Sequence, residues 1–200
     1  MIITYTGKYF DYSNINKDSI DVNDVIPAIT RTNRFMGHTK RPYNVGEHTA
    51  MCHLMARELG YSTREQLLVL VHDFTEAYCG DVNTDLKNLL PEYKRIEREV
   101  ELAIYDYLGI DAPTEEEEFK IKVVDYTMLI VEMRDLTLHN HNKKIEELKK
   151  YVSFDMLRHK LFSLSPNSNT EEKSIMNYLA VTFEILMERI GNPMFVEEFE

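Results

Sequence analysis

Residues 67–78 have the sequence Leu-Leu-Val-Leu-Val-His-Asp-Phe-Thr-Glu-Ala-Tyr, and this stretch decides how the chain folds. Its first five side chains are all apolar, which is typical of a segment buried in a protein core. The run ends on the adjacent polar residues His72 and Asp73, and burying this pair without partners would cost several kcal/mol. Something inside the fold must therefore neutralise the pair.

Three stretches have Ser, Thr or Asn followed three residues later by Glu, which is the pattern of a helix-opening capping box: residues 44–47, 62–65 and 114–117. The apolar spacing after each one predicts helices over residues 45–59, 62–78 and 114–138. Gly80 is the expected stop of the second helix. The first of these helices carries His48, the second carries His72 and Asp73, and the third carries Asp125.

Two further helices are predicted downstream. Pro91 can begin a long amphipathic helix that reaches Leu108 and ends at Gly109. A last amphipathic helix is predicted over residues 171–190, after a shorter apolar segment at residues 154–164.

The N-terminal part of the chain is less regular. The first twenty residues lack a helical period and are expected to form an irregular lid or edge with a short strand. A helix is predicted from about Asp24, where Pro27 must lie in the first turn or kink the segment because it has no amide proton. The predicted fold is all-α and forms a single domain over residues 1–200, with a motif-bearing core at about 7–138 and a helical extension at about 139–200.

Composition limits the partners and the location. The 34 acidic and 23 basic residues give a formal charge of −11, which disfavours a polymeric nucleic acid partner but leaves a small phosphorylated substrate possible. A local cluster of cations in this acidic chain could meet such a substrate: Arg31, Arg34, Lys40 and Arg41. No apolar run approaches the roughly 18 residues of a membrane helix, and the first ten residues lack a signal-peptide pattern. Cys52 and Cys79 suggest no disulfide framework. We therefore expect a cytoplasmic protein without membrane contact.

Four separated polar residues suggest a metal centre: His48, His72, Asp73 and Asp125. Asp125 lies among apolar residues of its helix, and an acidic residue is kept in such a place only when paired or metal-bound. A buried salt bridge to Arg134 or Lys122 is the alternative. Two imidazoles and two carboxylates suit zinc, manganese, iron, cobalt or nickel.

Five motifs carry a resemblance to a known family: Gly7-Lys-Tyr-Phe-Asp11, Arg34-Phe35-x-Gly37-His38, Tyr43-x-Val45-x-Glu47-His48, His72-Asp73-x-x-Glu76-Ala77-Tyr78-x-Gly80-Asp81 and Leu86-Lys87. Over about residues 7–138 the chain resembles HD-domain phosphohydrolases, whose defining pattern is H…HD…D around one or two metal ions. Within that family it resembles the 5′-deoxynucleotidase-like branch of bacteria and phages, including the phage dATP triphosphohydrolases.

The resemblance implies a largely helical fold and an enzyme that removes a 5′-phosphate or a triphosphate from a 2′-deoxynucleotide. It assigns a catalytic divalent ion, with magnesium added to the metals above, to the four ligands already named. It assigns Glu76 and Asp81 to positioning the water and the leaving group. A nearby carboxylate can take a proton from water whose pKa a metal has lowered, so the chemistry is consistent. Glu76 follows His72 by four residues, which would place both on one helix face.

The resemblance also names four residues for the substrate: Arg34, Phe35, His38 and Lys87. Phe35 would pack on the sugar, where an apolar ring offers a ribose 2′-hydroxyl no partner. An ordinary core position for Phe35 and a solvated position for Lys87 are the alternatives. Glu47 is rejected as a second base because its capping-box position accounts for it.

Two other functions stay open. One is an HD phosphodiesterase or hydrolase of cyclic or alarmone nucleotides. The other is a non-catalytic nucleotide-sensing protein, against which Glu76 and Asp81 argue because a sensor needs no positioned water. For the leading function we expect a small deoxynucleotide as partner, a homo-oligomer, and a location in the cytoplasm, which would be the host cytoplasm if a phage encodes the chain.

Overall fold

The computed structural model describes residues 1–138, 142–148, 151–152 and 168–192. Within these residues the chain is mostly helical, with one small antiparallel sheet near its start, which confirms the predicted fold class. The elements in chain order are β1 Ile2–Ile3, β2 Tyr9–Phe10, α1 Val22–Ile29, α2 Val45–Glu58, α3 Thr63–Val71, α4 Glu76–Cys79, α5 Thr84–Lys87, α6 Pro91–Leu108, α7 Glu115–Leu136, α8 Asn142–Leu148 and α9 Ser168–Arg189. The segment predicted at residues 154–164 lies outside the described residues.

The capping signals form as predicted at two of the three helix starts. Ser62 and Glu65 exchange side-chain and backbone hydrogen bonds at the start of α3, and Thr114 and Glu117 do the same at α7. At α2 only half of the box forms: Asn44 accepts from the amide of Glu47, while the Glu47 carboxylate pairs with Arg41 at 2.5 Å. The capping box therefore does not account for the Glu47 side chain.

The helix predicted over residues 62–78 is two helices, which corrects the prediction. α3 ends at Val71, a turn covers residues 72–75, and α4 begins at Glu76. In the turn the amides of Phe74 and Glu76 donate to carbonyls three residues earlier, those of Val71 and Asp73. This tighter pattern turns the chain away from the α3 axis. His72 and Asp73 therefore lie just beyond the end of α3.

The apolar run in α3 forms the centre of the core. All five of its side chains from Leu67 to Val71 are buried, and α3 packs against α2, α7 and α9. α6 adds a second buried face with Val100, Ile104 and Leu108 to the same core. A central helix buried on all sides is what an unbroken apolar sequence requires.

Two further expectations concern α1 and the membrane. Pro27 does not lie in the first turn of α1 but inside the helix, which ends two residues later at Ile29. None of the helices in the part of the chain that the structure describes is long and apolar enough to cross a membrane.

His53 connects α2 to α9 through a hydrogen-bond contact. Nδ1 of His53, on α2, lies 2.7 Å from the hydroxyl oxygen of Tyr178, on α9. Burial, with the nearby charge of Arg57, lowers the pKa of His53 from 6.5 to about 4. Protonation therefore favours the unfolded chain as the pH falls from 6.5 to 4, so His53 costs stability in that window.

We predict that His53→Gln, which cannot titrate, loses less stability on acidification than the wild type. The pKa difference corresponds to a gap in unfolding free energy of up to about 3 kcal/mol between pH 7 and pH 4. Urea unfolding at several pH values measures this gap. Parallel pH profiles for the two proteins would contradict the prediction.

Candidate metal centre and active site

The four predicted metal ligands meet at one point. Nε2 of His48 lies 3.4 Å from Nε2 of His72, 3.4 Å from Oδ2 of Asp73 and 3.3 Å from Oδ1 of Asp125. Nε2 of His72 lies 3.3 Å from Oδ2 of Asp73. Three parts of the fold supply them: α2, the turn after α3, and α7.

These spacings fit a metal ion. Ligand atoms about 2.0–2.1 Å from a tetrahedral ion are separated by about 3.3–3.4 Å along the edges of the tetrahedron. Two neutral imidazoles and two carboxylates also suit a divalent transition metal. The alternative salt bridges of Asp125 do not form, since Arg134 pairs with Asp135 and Lys122 lies 3.8 Å from Glu118.

Cys52 is a donor that the sequence interpretation did not include. His48, Cys52 and His72 form a group whose ligand atoms lie within 4.8 Å of one another and which could hold a metal ion. The sulfur is 3.4 Å from Nε2 of His48 and 4.0 Å from Nδ1, so it lies beside the ring rather than on the axis along which Nε2 binds an ion. Burial raises the pKa of the Cys52 thiol to about 11, which disfavours the thiolate that binds metals. The carboxylate oxygens of Asp73 and Asp125, at 3.4 and 3.3 Å from Nε2 of His48, are further candidate ligands beside this group.

Partners outside the ligand set orient both imidazoles. Nδ1 of His72 lies 2.7 Å from the carbonyl oxygen of Val69, and Nδ1 of His48 lies 2.5 Å from Oε1 of Glu132. Sequence reasoning missed Glu132. The available signal was a second carboxylate on the apolar part of α7, seven residues and therefore two turns after Asp125.

Glu76 and Asp81 line the cavity beside this centre. Glu76 is 6 % exposed, and its Oε2 has no hydrogen-bond partner among the described residues. Burial raises the pKa of Glu76 well above its usual value, and the charges of Asp73 and Asp81 raise it further. Burial also raises the pKa of Asp81, against the opposing charge of Arg34. Glu76 begins α4, so it comes near His72 through the turn and not along one helix face.

The cavity has a volume of about 720 Å³ and is open to solvent on one side. All four predicted substrate residues line it: Arg34, Phe35, His38 and Lys87. Three further side chains of α7 line the same cavity: Tyr126, Leu129 and Met133. Phe35 lines the cavity and also packs, partly buried, against the core cluster of Ile130, Met133 and Leu148, so the core alternative holds in part. Lys87 is not freely solvated, because its Nζ pairs with Oε1 of Glu97 at 2.5 Å.

The four cations predicted to form a cluster, Arg31, Arg34, Lys40 and Arg41, do not line the cavity together. Arg31 pairs with Glu172, Arg41 with Glu47, and Nζ of Lys40 donates to a backbone carbonyl at the end of α7. Of the four cations only Arg34 lines the cavity, where Nη1 contacts Oδ2 of Asp73 at 3.2 Å. The other three cations therefore have separate partners, and the backbone turns sharply after Arg34.

That turn is strained. Phe35 and Met36 have φ of 56° and 52°, and Gly37 follows with φ of 79°. A left-handed conformation costs roughly 1–2 kcal/mol for each residue with a side chain. Hydrogen bonds at both sides hold the turn: the Arg34 amide donates to Tyr43, and the Lys40 amide donates to Leu136. Such strain is typical of functional sites.

Comparison with known proteins identifies a relative in Escherichia coli. No protein-family model matches the chain. The uncharacterized protein YfdR of Escherichia coli strain K12 is 38% identical over 138 residues, which cover 68% of this chain and 72% of YfdR. The chain belongs to the YfdR family. The name of this relative states no activity.

We predict that Asp125→Ala loses the metal while the fold remains. Removing one of four ligands leaves an incomplete set, whereas Asp106→Ala removes an exposed carboxylate from α6 and serves as control. Metal content after dialysis, measured by mass spectrometry, should fall well below that of wild type for Asp125→Ala only. Equal metal content in both variants would contradict the centre.

Proposed function

We propose that the protein is a metal-dependent phosphohydrolase of the HD type that acts on 2′-deoxynucleotides. The observation that carries the proposal is that His72, Asp73 and Asp125 each have a ligand atom within 3.4 Å of Nε2 of His48, beside a cavity lined by Arg34 and by Glu76, whose Oε2 has no partner among the described residues. A divalent ion held by these four side chains would act as a Lewis acid on a phosphoryl oxygen and lower the pKa of water.

We assign the proton transfers to two carboxylates. Glu76 takes the proton of the attacking water, because its Oε2 has no hydrogen-bond partner among the described residues and the charge of a bound divalent ion would favour its ionised form. Asp81 gives a proton to the leaving sugar oxygen as the phosphorus–oxygen bond breaks, since burial favours its neutral form. The products are then inorganic phosphate and a deoxynucleoside.

The rest of the cavity suits a nucleotide. Arg34 presents a guanidinium whose fork of donors matches phosphate oxygens. Phe35, Tyr126 and Leu129 supply apolar surface for the sugar and base. An apolar ring against the sugar leaves a ribose 2′-hydroxyl without a partner, which favours deoxynucleotides.

Charge favours a monophosphate over a triphosphate. Among the described residues that line the cavity, Arg34 and Lys87 carry permanent positive charge, and both already contact carboxylates. Five acidic residues line the same cavity: Asp73, Glu76, Asp81, Asp85 and Asp125. One phosphoryl group needs less compensation than three, so a deoxynucleoside monophosphate is the first candidate and dATP the second.

The deciding experiment is a substrate panel. The protein is loaded separately with zinc, manganese, cobalt, iron, nickel or magnesium and incubated with deoxy- and ribonucleoside mono- and triphosphates, cyclic nucleotides and an alarmone. Chromatography and mass spectrometry identify the products. We expect phosphate and a deoxynucleoside, with ribonucleotides turned over more slowly. Turnover of cyclic or alarmone nucleotides alone would replace the proposal, and binding without turnover by every loaded form would identify a sensor.

We predict that Glu76→Ala separates catalysis from binding. The four metal ligands remain, so metal content and nucleotide affinity should stay near wild type, while kcat falls by about 10² to 10⁴. The melting temperature should not fall, because the variant removes a buried carboxylate oxygen that lacks a partner. Glu92→Ala, at an exposed glutamate of α6, is the control. Wild-type turnover, or activity lost only in step with stability, would refute this role of Glu76.

A further inference from the structure

Glu132 is a fully buried carboxylate in the middle of this network. It lies on α7 with no exposed surface, and its Oε1 accepts from the Tyr43 hydroxyl at 2.8 Å and lies 2.5 Å from Nδ1 of His48. Its Oε2 lies 3.5 Å from Nε of Arg34, which is an ion-pair distance. Burying a carboxylate costs folding free energy unless the group is paired. The Glu132 carboxylate has three side chains as partners: Tyr43, His48 and Arg34.

The contact between Glu132 and His48 determines which nitrogen of the imidazole ring carries the proton and which has the free lone pair. A neutral imidazole has one donor nitrogen and one acceptor nitrogen, and a carboxylate can only accept. In a neutral, metal-bound His48 the proton would therefore be on Nδ1, where it faces Glu132. Nε2 then carries the free lone pair, and Nε2 is the atom that lies among the other three ligand atoms.

We infer that Glu132 is the positioning residue of the metal centre. It fixes the tautomer and ring orientation of His48 and thereby sets the affinity of the site for a divalent ion. It also links that ion to the substrate side of the cavity, because Arg34 reaches from Oε2 of Glu132 to the ligand Asp73. The inference rests on the metal centre of the proposed function.

A purely structural role has a different consequence. If Glu132 only neutralised Arg34 inside the core, its charge would matter and its distance to His48 would not. Glu132→Gln removes the charge, whereas Glu132→Asp keeps the charge but draws the carboxylate back from Nδ1. If Glu132 positions His48, both variants should weaken metal binding. If Glu132 only balances charge, Glu132→Gln should affect the protein and Glu132→Asp should not.

The test measures zinc affinity by competition with a chromophoric chelator, together with the melting temperature of the metal-free protein. We expect zinc affinity to fall by about 10- to 100-fold in Glu132→Gln and to fall in Glu132→Asp as well. Tyr43→Phe keeps the contact between Glu132 and His48 and should bind zinc nearly as wild type does. Glu117→Gln breaks an ion pair with Arg64 far from the centre and controls for a loss of stability alone.

Nuclear magnetic resonance of zinc-loaded protein labelled with ¹⁵N-histidine gives a second readout. A proton on Nδ1 of His48, deshielded by its hydrogen bond to Glu132, should be present in wild type and shifted upfield in Glu132→Gln. Unchanged zinc affinity in both folded Glu132 variants would overturn the inference, as would a wild type that binds no divalent ion. Zinc binding that depends on Glu132 without hydrolysis of any nucleotide would support the inference and overturn the proposed function.

Discussion

Nε2 of His48 lies within 3.4 Å of candidate ligand atoms of His72, Asp73 and Asp125, and the four residues come from three separate parts of the chain. Two of the four groups are carboxylates, which repel each other and carry a heavy desolvation cost unless a positive charge joins them. The apolar packing of α3 against α2 and α7 has to hold them together. The core of this protein therefore has two tasks, since it stabilises the fold and keeps like charges close.

The helix break after Val71 allows the core both to stabilise the fold and to keep the two carboxylates close. An uninterrupted helix would direct His72 and Asp73 along the periodic faces of α3, whose last five residues are all buried in apolar surroundings. The turn at residues 72–75 lets the pair leave that packing and face α2 and α7. It also places Glu76 at the start of a new helix, so a ligand pair and the proposed base come from five consecutive residues.

Much of this arrangement could be predicted from local sequence signals. The capping boxes at Ser62 and Thr114 and the helix end at Gly109 depend on neighbouring residues, and they form as predicted. The coming together of the four ligands was predicted from polar residues in apolar runs. The break after Val71 was missed, because apolar periodicity does not reveal to which carbonyl a backbone amide will donate its hydrogen bond. Glu132 was missed because its partners, Tyr43 and His48, are more than 80 residues away.

The failure of the predicted cation cluster has a consequence for the proposed chemistry. With Arg31, Lys40 and Arg41 engaged elsewhere, the lining of the cavity has more acidic than basic side chains among the described residues. Such a cavity repels a phosphate until a divalent ion changes its charge. In the proposed enzyme, binding of the ion and binding of the substrate are therefore coupled through electrostatics. Arg34 is the side chain through which that coupling would act, because it contacts both the ligand Asp73 and the carboxylate of Glu132 that orients His48.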